Sequence, residues 1–231
     1  HHAALATWME HRRGFTKVEW TIPEAASRAS GSTPGSDGAA PLAACYFRRR
    51  PSVVDVIARM ADWGIAAVGR ELVAEVAGVL AKTSIHFVAA AFRPESPIHH
   101  KFYFSQFVAA DTHGQVAARV EALVRRFGGT STQVVFWQRM HAATVHLHDS
   151  TIFVSISMTA DEPSPSFKID YPEVPPARTG SWSNAPATVE RSAAAACARA
   201  GCQRLSYLGV RFQPGQDMPI LKYYADVPGL V

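Results

Sequence analysis

Hydrophobic and polar residues alternate in four pairs of short segments along the chain. A period of two is typical of β-strands that pack one face against an apolar core. Each pair is joined by a stretch rich in turn-forming residues, so each predicts an antiparallel hairpin. The predicted strand pairs are residues 15–22 with 42–48, 85–93 with 98–105, 151–159 with 167–171, and 205–213 with 220–226.

Apolar residues at helical spacing separate these hairpins. They predict helices within residues 53–81, 118–127 and 187–200. Gly64 predicts a break that divides the first stretch into two helices, whereas the pattern of residues 128–141 is less clear. A helical segment followed by a hairpin, repeated at intervals of roughly 50 residues, indicates an internal repeat of supersecondary units.

The length of the chain fits one domain with a core of its own. We therefore treat residues 1–231 as a single domain. Residues 23–41 contain almost no large apolar side chain, which predicts a flexible loop at the tip of the first hairpin. Repeated hairpins with every helix on one face can join their outer edges. The predicted fold class is α+β, an antiparallel β-barrel of about eight strands with the helices outside.

Composition narrows the environment and the partners. The chain has three cysteines and no CxxC pair, which argues against a disulfide-bonded secreted scaffold and favours a cytoplasmic location. No apolar run reaches eighteen residues, so we expect neither a membrane span nor a membrane partner. The net charge is +4, but the positive residues are mostly scattered, which argues against nucleic acid as a partner.

The polar faces of the predicted hairpins carry more positive than negative charge. Strand parity places seven cations on them, namely Lys17, Arg48, Arg93, Lys101, Lys168, Arg211 and Lys222. The carboxylates of the same faces are Glu19, Asp170 and Asp226. If these faces line an interior, the surplus requires water, a lysine of lowered pKa or a bound anion such as a diphosphate. The alternative is that they face bulk water, as one side of an open antiparallel sheet commonly does.

Tyrosines recur two residues after lysines on these faces, in Lys101 with Tyr103 and Lys222 with Tyr224. A tyrosine ring can stabilise a transient carbocation and shelter it from water. Tyr171 has the opposite parity to Lys168, so it is expected on the other face unless a bulge intervenes.

The remaining candidates are carboxylates and histidines. Glu19, Asp170 and Asp226 can each accept a proton from an arene or a phenol, although pairing with a neighbouring cation is the simpler role. Two groups of histidines, His86 with His99 and His100, and His146 with His148, lack the acidic or cysteine partners of a metal site. We therefore expect no protein-held metal, and magnesium is an option that nothing in the sequence requires.

Four stretches of the chain resemble the soluble aromatic prenyltransferases of the ABBA (PT-barrel) fold, especially the bacterial clorobiocin- and naphterpin-type enzymes of secondary metabolism. They are AACYFRRRPSVVDVIARMADWGI, IHFVAAAFRPESPIHHKFYFSQF, STIFVSISMTADEPSPSFKIDYPEVPP and LSYLGVRFQPGQDMPILKYYADV. The family implies a barrel of five ααββ units whose inner Arg and Lys residues hold a prenyl diphosphate. This chain is shorter by one unit, because only about twenty residues lie between Ile65 and Ile85.

The resemblance implies prenyl transfer from an allylic diphosphate to a small aromatic acceptor. Its diphosphate-binding residues correspond to Arg93, Lys101, Lys168, Arg211 and Lys222, with Lys17 and Arg48 on neighbouring strands. Tyr103 and Tyr224 correspond to the tyrosines that shield the cation. A shortened barrel could stay open enough for both substrates, be completed by a second copy in a homodimer, or serve another task. The alternatives are a non-catalytic ligand-binding barrel or partner subunit, and a cyclase or isomerase.

Overall fold

The structure is a computed structural model, and it describes nine stretches of the chain. These are residues 15–19, 42–47, 50–92, 97–109, 112–145, 150–160, 165–174, 187–201 and 205–224. Within these stretches, the side chains of residues 15–19, 42–47, 92, 143–145, 150, 173–174, 187–188, 190, 192 and 199–200 are not described. The predicted loop at residues 23–41 lies outside the described residues, as do Arg48, Arg93 and Asp226.

Eight strands form one antiparallel sheet in which each strand pairs with the next along the chain. They are β1 (Phe15–Glu19), β2 (Leu42–Phe47), β3 (Phe87–Phe92), β4 (His99–Val108), β5 (Ser150–Met158), β6 (Ser166–Val174), β7 (Leu205–Phe212) and β8 (Ile220–Tyr224). Residues of six of these strands, β3–β8, pack with the helices in the main core. Strands β1 and β2 continue the sheet beyond β3. All four predicted hairpins are therefore confirmed, with ends that shift by a few residues.

Five described helices lie between the hairpins. They are α1 (Val53–Met60), α2 (Ala67–Val79), α3 (His113–Arg126), α4 (Ser131–Val145) and α5 (Ala187–Ala200). Gly64, with φ of 82°, ends the segment after α1, as predicted. The Ser52 side chain accepts a hydrogen bond from the Asp55 backbone N–H and caps the start of α1. Helix α3 begins five residues before the predicted start, and α4 is the helix that the sequence pattern left unassigned.

The helices bury one face of the sheet. Val154 and Ile156 from β5 and Val210 from β7 belong to a single core cluster that also contains helix residues. Each of these side chains is fully buried, and such burial stabilises the fold by about 1.5–3 kcal/mol per residue. Because this face takes the apolar side chains, the polar side chains of the same strands point to the other side of the sheet.

Tyr171 occupies the helix-covered face without a bulge, as strand parity predicts. It is 2% exposed, and its hydroxyl accepts a hydrogen bond of 2.8 Å from the indole Nε1 of Trp137 in α4. His141 Nδ1 lies 3.4 Å from the same hydroxyl. Tyr171 therefore belongs to the core and not to the polar face.

The sheet is antiparallel and the fold class is α+β, but closure into a barrel is not confirmed. Each described strand pairs only with its neighbours in sequence, so β1 and β8 remain at the two edges. Hairpin repetition alone does not establish closure, because closure also depends on how far the sheet bends and how far its strands tilt.

None of the described helices is long and apolar enough to span a membrane.

Candidate functional site

Four cations from four strands share the side of the sheet opposite the helices. We call Lys101 of β4, Lys168 of β6, Arg211 of β7 and Lys222 of β8 the cationic cluster. Lys168 lies directly opposite Arg211, and Lys222 lies opposite Gly209, which is two residues from Arg211 on β7. Alternation along each strand places all four side chains on this face, and the pairing register brings Lys168, Arg211 and Lys222 close together.

Lys168 occupies the centre of this face. Its Nζ forms an ion pair of 2.8 Å with Asp170 Oδ2 and donates a hydrogen bond of 3.1 Å to the Tyr224 hydroxyl. The same ammonium group lies 5.7 Å from the ring centroid of Tyr103 and 5.1 Å from that of Tyr224, within cation–π range. One cation is thus held between two tyrosine rings and a carboxylate.

Small residues leave room for the Lys168 side chain. Ser155 faces it from β5, and Gly209 lies next to its partner Arg211 on β7. A Cβ atom at Gly209 would lie 2.8 Å from Asp170 Oδ1 and 3.2 Å from Lys168 Cδ. The absence of a side chain at Gly209 therefore allows Lys168 to extend across β7 to β8.

The two lysines at the centre of the cluster differ in their electrostatics. Burial lowers the pKa of Lys168, but the charge interactions and hydrogen bonds with Asp170 and Tyr224 together outweigh burial and raise this pKa above its ordinary value. Burial also lowers the pKa of Lys222, and the charges of Lys168, Arg211 and Lys101 lower it further, to about 8. The face therefore carries one firmly held cation and one that loses its proton near neutral pH.

Contacts across two strand spacings bring side chains of β4, β6 and β8 together on the polar face. Tyr103 lies on β4 and Tyr224 on β8, each two strands away from β6, and the ammonium group of Lys168 contacts both. The centre of the polar face is therefore a set of side chains from three strands that are not paired with one another.

Arg211 adds a guanidinium donor to this face. Its Nε is buried and makes no hydrogen bond to the described residues. Burying an unpaired guanidinium N–H costs free energy, and an anion on this face would offset that cost.

Two serine hydroxyls lie on the same face. On β5 and β6, Ser157 and Ser166 face each other with hydroxyls 2.6 Å apart, and Lys101 pairs with Ser157. These hydroxyls are further hydrogen-bonding groups for phosphate oxygens.

Aromatic side chains cover the same face beside the cations. We call Phe87, Tyr103, Phe153 and Tyr207 the aromatic wall. The ring centroids of Phe87 and Tyr103 are 4.3 Å apart, and those of Phe153 and Tyr207 are 6.2 Å apart. Tyr103 also packs with Ala89 and Ala91 in an apolar cluster that is separate from the main core. The polar face thus has an apolar region that fits a hydrocarbon chain or an aromatic ring.

The structure brings together seven of the residues that the sequence predicts for the site. They are Lys101, Tyr103, Lys168, Asp170, Arg211, Lys222 and Tyr224. Lys17 and Glu19 lie on β1, where the backbone register pairs them with Ala44 and Leu42, and their side chains are not among those described. Arg48 and Arg93 lie outside the described residues.

Phe153 and Phe87 are parts of the site that sequence analysis did not identify. The signal was present, because Phe153 has the same strand parity as Ser155 and Ser157. An aromatic residue within a polar series on one strand face indicates an apolar patch on that face.

The histidines do not form a metal site in the described part of the chain. No group of three or more His, Cys, Asp or Glu side chains comes close enough there to hold a metal ion. His100 stacks on Trp63 on the helix-covered side, whereas His86 packs against Phe153. His146 and His148 lie outside the described residues. The cationic donors fit an anion, and Mg²⁺ would need oxygen ligands from that anion.

No protein-family model matches this sequence, and no curated protein matches it either.

Proposed function

We propose that the polar face of the sheet binds a prenyl diphosphate and transfers its allylic group to a small aromatic acceptor. The observation that carries the proposal is the position of the aromatic wall directly beside the cationic cluster. A diphosphate needs several Arg and Lys donors, and an isoprenoid chain needs an apolar surface next to them. Both surfaces belong to one face of the same sheet, and Tyr103 lies at their boundary.

The cationic cluster would promote departure of the diphosphate. The bond between the allylic carbon and the diphosphate oxygen breaks, and both electrons leave with the diphosphate. Lys101, Arg211 and Lys222 stabilise the negative charge that develops on the leaving group, and such stabilisation is usually the largest single contribution to catalysis. Magnesium is not required for this step, because these side chains supply positive charge themselves, although Mg²⁺ could accompany the diphosphate.

The tyrosines and a carboxylate would serve the second half of the reaction. The rings of Tyr103 and Tyr224 already lie within cation–π distance of the Lys168 ammonium, so a carbocation beside them would be stabilised in the same way. A ring carbon of the acceptor forms the new C–C bond, and the proton that it loses passes to a carboxylate. Asp170 lies on this face, and Glu19 lies on β1 of the same sheet.

Enclosure of the face is part of the proposal. A carbocation must be kept from water, so the sheet would close into a PT-barrel-like chamber of about eight strands, either within one chain or with a second copy of it. The contacts of Lys168 with Tyr103 of β4 and Tyr224 of β8 support such closure, because they draw side chains from both sides towards β6. An interior of this size accepts one small ligand readily, so the proposal requires short prenyl chains and compact acceptors.

The ion pair between Lys168 and Asp170 favours a second candidate, a non-catalytic ligand-binding protein. Asp170 is the one carboxylate whose side chain the structure describes on this face, and it is held by Lys168 at 2.8 Å. A paired carboxylate is a weaker base, because the neighbouring ammonium stabilises its charged form. Such a protein would keep the cationic cluster and bind the diphosphate without consuming it.

Incubation with dimethylallyl or geranyl diphosphate and a panel of phenols and indoles, followed by mass analysis, tests the proposal. A prenylated product that depends on both substrates supports transfer. Diphosphate binding without product supports the binding protein, and the lack of both eliminates the two candidates.

Variants connect either result to the site. We expect Lys222→Ala to weaken diphosphate binding by about 1.5–3 kcal/mol, which is typical of a charge-assisted hydrogen bond. Lys82→Ala is the matched control, because Lys82 precedes β3 outside the cationic cluster and should bind as the unmodified protein does. Equal affinity of the two variants would contradict the assignment of the site.

A further inference from the structure

Lys222 lies on the polar face among other positive side chains. It pairs with Gly209 of β7, where a Cβ atom would lie 3.4 Å from Lys222 Cβ and 3.2 Å from Lys168 Cδ, and Lys168 pairs with Arg211. Lys101, Lys168 and Arg211 are the positive side chains that act on it. Asp170 also acts on Lys222, but its Oδ2 is bound to Lys168 at 2.8 Å. Within the described part of the chain, Lys222 makes no hydrogen bond or ion pair of its own. Its side chain is only partly buried, so a ligand on this face can reach it.

We propose that Lys222 is a reactive amine that forms an imine with aldehydes carrying a phosphate group. The other members of the cationic cluster bind the phosphate, and the aromatic wall contacts the organic part of the aldehyde. This inference rests on the anion-binding part of the proposed function, but it does not depend on prenyl transfer. It gives the polar face a covalent chemistry in addition to anion binding.

The reaction needs no oxidant, reductant or metal. The neutral amine of Lys222 attacks the carbonyl carbon and forms a C–N bond. The nitrogen gives up its two protons and the carbonyl oxygen takes up two, so the oxygen leaves as water and a C=N bond remains. Neighbouring cations favour this chemistry because they stabilise the neutral amine, and a lysine beside another cationic group is an established form of activated nucleophile.

Lys168 provides an internal contrast within the same cluster. Its ammonium is held by Asp170 and Tyr224, and its pKa is raised, so it stays protonated and unreactive. Lys222 has a pKa lowered to about 8, so about half of it is neutral at pH 8. A lysine with an ordinary pKa near 10.4 would be neutral there in less than about 1% of molecules.

Pyridoxal 5′-phosphate, followed by borohydride reduction, is the probe for this chemistry. Reduction converts the imine to a stable amine, and peptide mapping identifies which of Lys17, Lys82, Lys101, Lys168 and Lys222 carries the label. We expect Lys222 to be labelled at least about tenfold faster than Lys168 at pH 8, with half-maximal rate near that pH. Lys222→Arg keeps the positive charge and should remove this label, while the labelling of Lys82, whose pKa is also lowered by burial and by Arg119, should not change.

Labelling of Lys168 as fast as Lys222, or a half-maximal rate near pH 10, would overturn the proposal. Inorganic diphosphate competes with the phosphate group of the probe for the cationic cluster. We therefore expect it to slow labelling of Lys222 but not of Lys82. Labelling of Lys222 that diphosphate leaves unchanged would overturn the assignment of the phosphate to the cationic cluster. Prenyl transfer is measured in a separate assay, so its absence leaves this result unaffected.

Discussion

The ammonium group of Lys168 extends across a neighbouring strand and donates a hydrogen bond of 3.1 Å to the hydroxyl of Tyr224. The two residues lie on β6 and β8, and β7 runs between them. This contact is possible because the residue of β7 over which the Lys168 side chain passes is Gly209, which has no side chain. The geometry of the polar face therefore depends on a residue that has no functional group.

Replacement of Gly209 by alanine should disturb both stability and ligand binding. The added methyl group would lie 2.8 Å from Asp170 Oδ1, 3.2 Å from Lys168 Cδ and 3.4 Å from Lys222 Cβ. Overpacking of this kind costs about 1–3 kcal/mol, because the surrounding side chains must leave their preferred rotamers. Urea unfolding measures the loss of stability, and calorimetry with inorganic diphosphate measures the loss of affinity.

Gly78→Ala is the matched control for this substitution. Gly78 is an exposed residue of α2, and a Cβ atom there meets nothing within 4 Å. Alanine is favoured over glycine in a helix by about 0.5–1 kcal/mol, so this variant should be slightly more stable and bind diphosphate normally. If Gly209→Ala behaved like Gly78→Ala, the proposed contact across β7 would be wrong.

Binding of diphosphate should be accompanied by uptake of a proton near pH 8. Lys222 is about half protonated there, and a bound anion raises its pKa by favouring the charged form. The complex then holds more protons than the free protein, so affinity should fall as pH rises through 8. Calorimetry in two buffers of different ionisation enthalpy measures the uptake directly. Binding with no proton uptake in Lys222→Arg, but uptake in the unmodified protein, would assign the effect to Lys222.

Much of the fold could be predicted from the sequence because one sheet face is apolar. Strand parity separates Val154 and Ile156 from Ser155 and Ser157, and the structure places the first pair in the core. Parity also predicts that Lys168 and Asp170 share the other face, where they form an ion pair. These are local relationships, in which a period of two is sufficient to identify neighbours.

Helix α4 could not be predicted from the hydrophobic periodicity of the sequence. Its buried residues include polar ones, Gln133 and His141, alongside Trp137 and Met140, so its apolar stripe is interrupted. Gln133 is buried because its Nε2 donates hydrogen bonds to the carbonyl oxygens of residues 213 and 216, which are distant in sequence. Tertiary partners of this kind, like the bending of the sheet, leave no periodic signal in the chain.

His141 should make the protein sensitive to acid. Burial, together with the neighbouring His113, lowers the pKa of His141 to about 4. The unfolded chain takes up this proton near pH 6.5, so the contribution is complete above that pH and is lost as pH falls towards 4. We expect a loss of about 1–2 kcal/mol between pH 7 and pH 5, measured by urea unfolding. His141→Phe keeps the stacking with Trp137 and should flatten the pH dependence, whereas an unchanged slope would contradict this role.

Two conservative tyrosine substitutions should separate the core from the polar face. Tyr171→Phe leaves the buried Trp137 Nε1–H without its acceptor, so it should lower the free energy of unfolding by about 1–3 kcal/mol. Diphosphate affinity should not change, because Tyr171 points to the helix-covered side.

Tyr224→Phe removes the hydrogen bond that positions Lys168, so it should change diphosphate affinity by about threefold or more with a smaller effect on stability. Urea unfolding and calorimetry on both variants measure the two quantities, and loss of affinity in Tyr171→Phe without unfolding would show that the two faces are not independent.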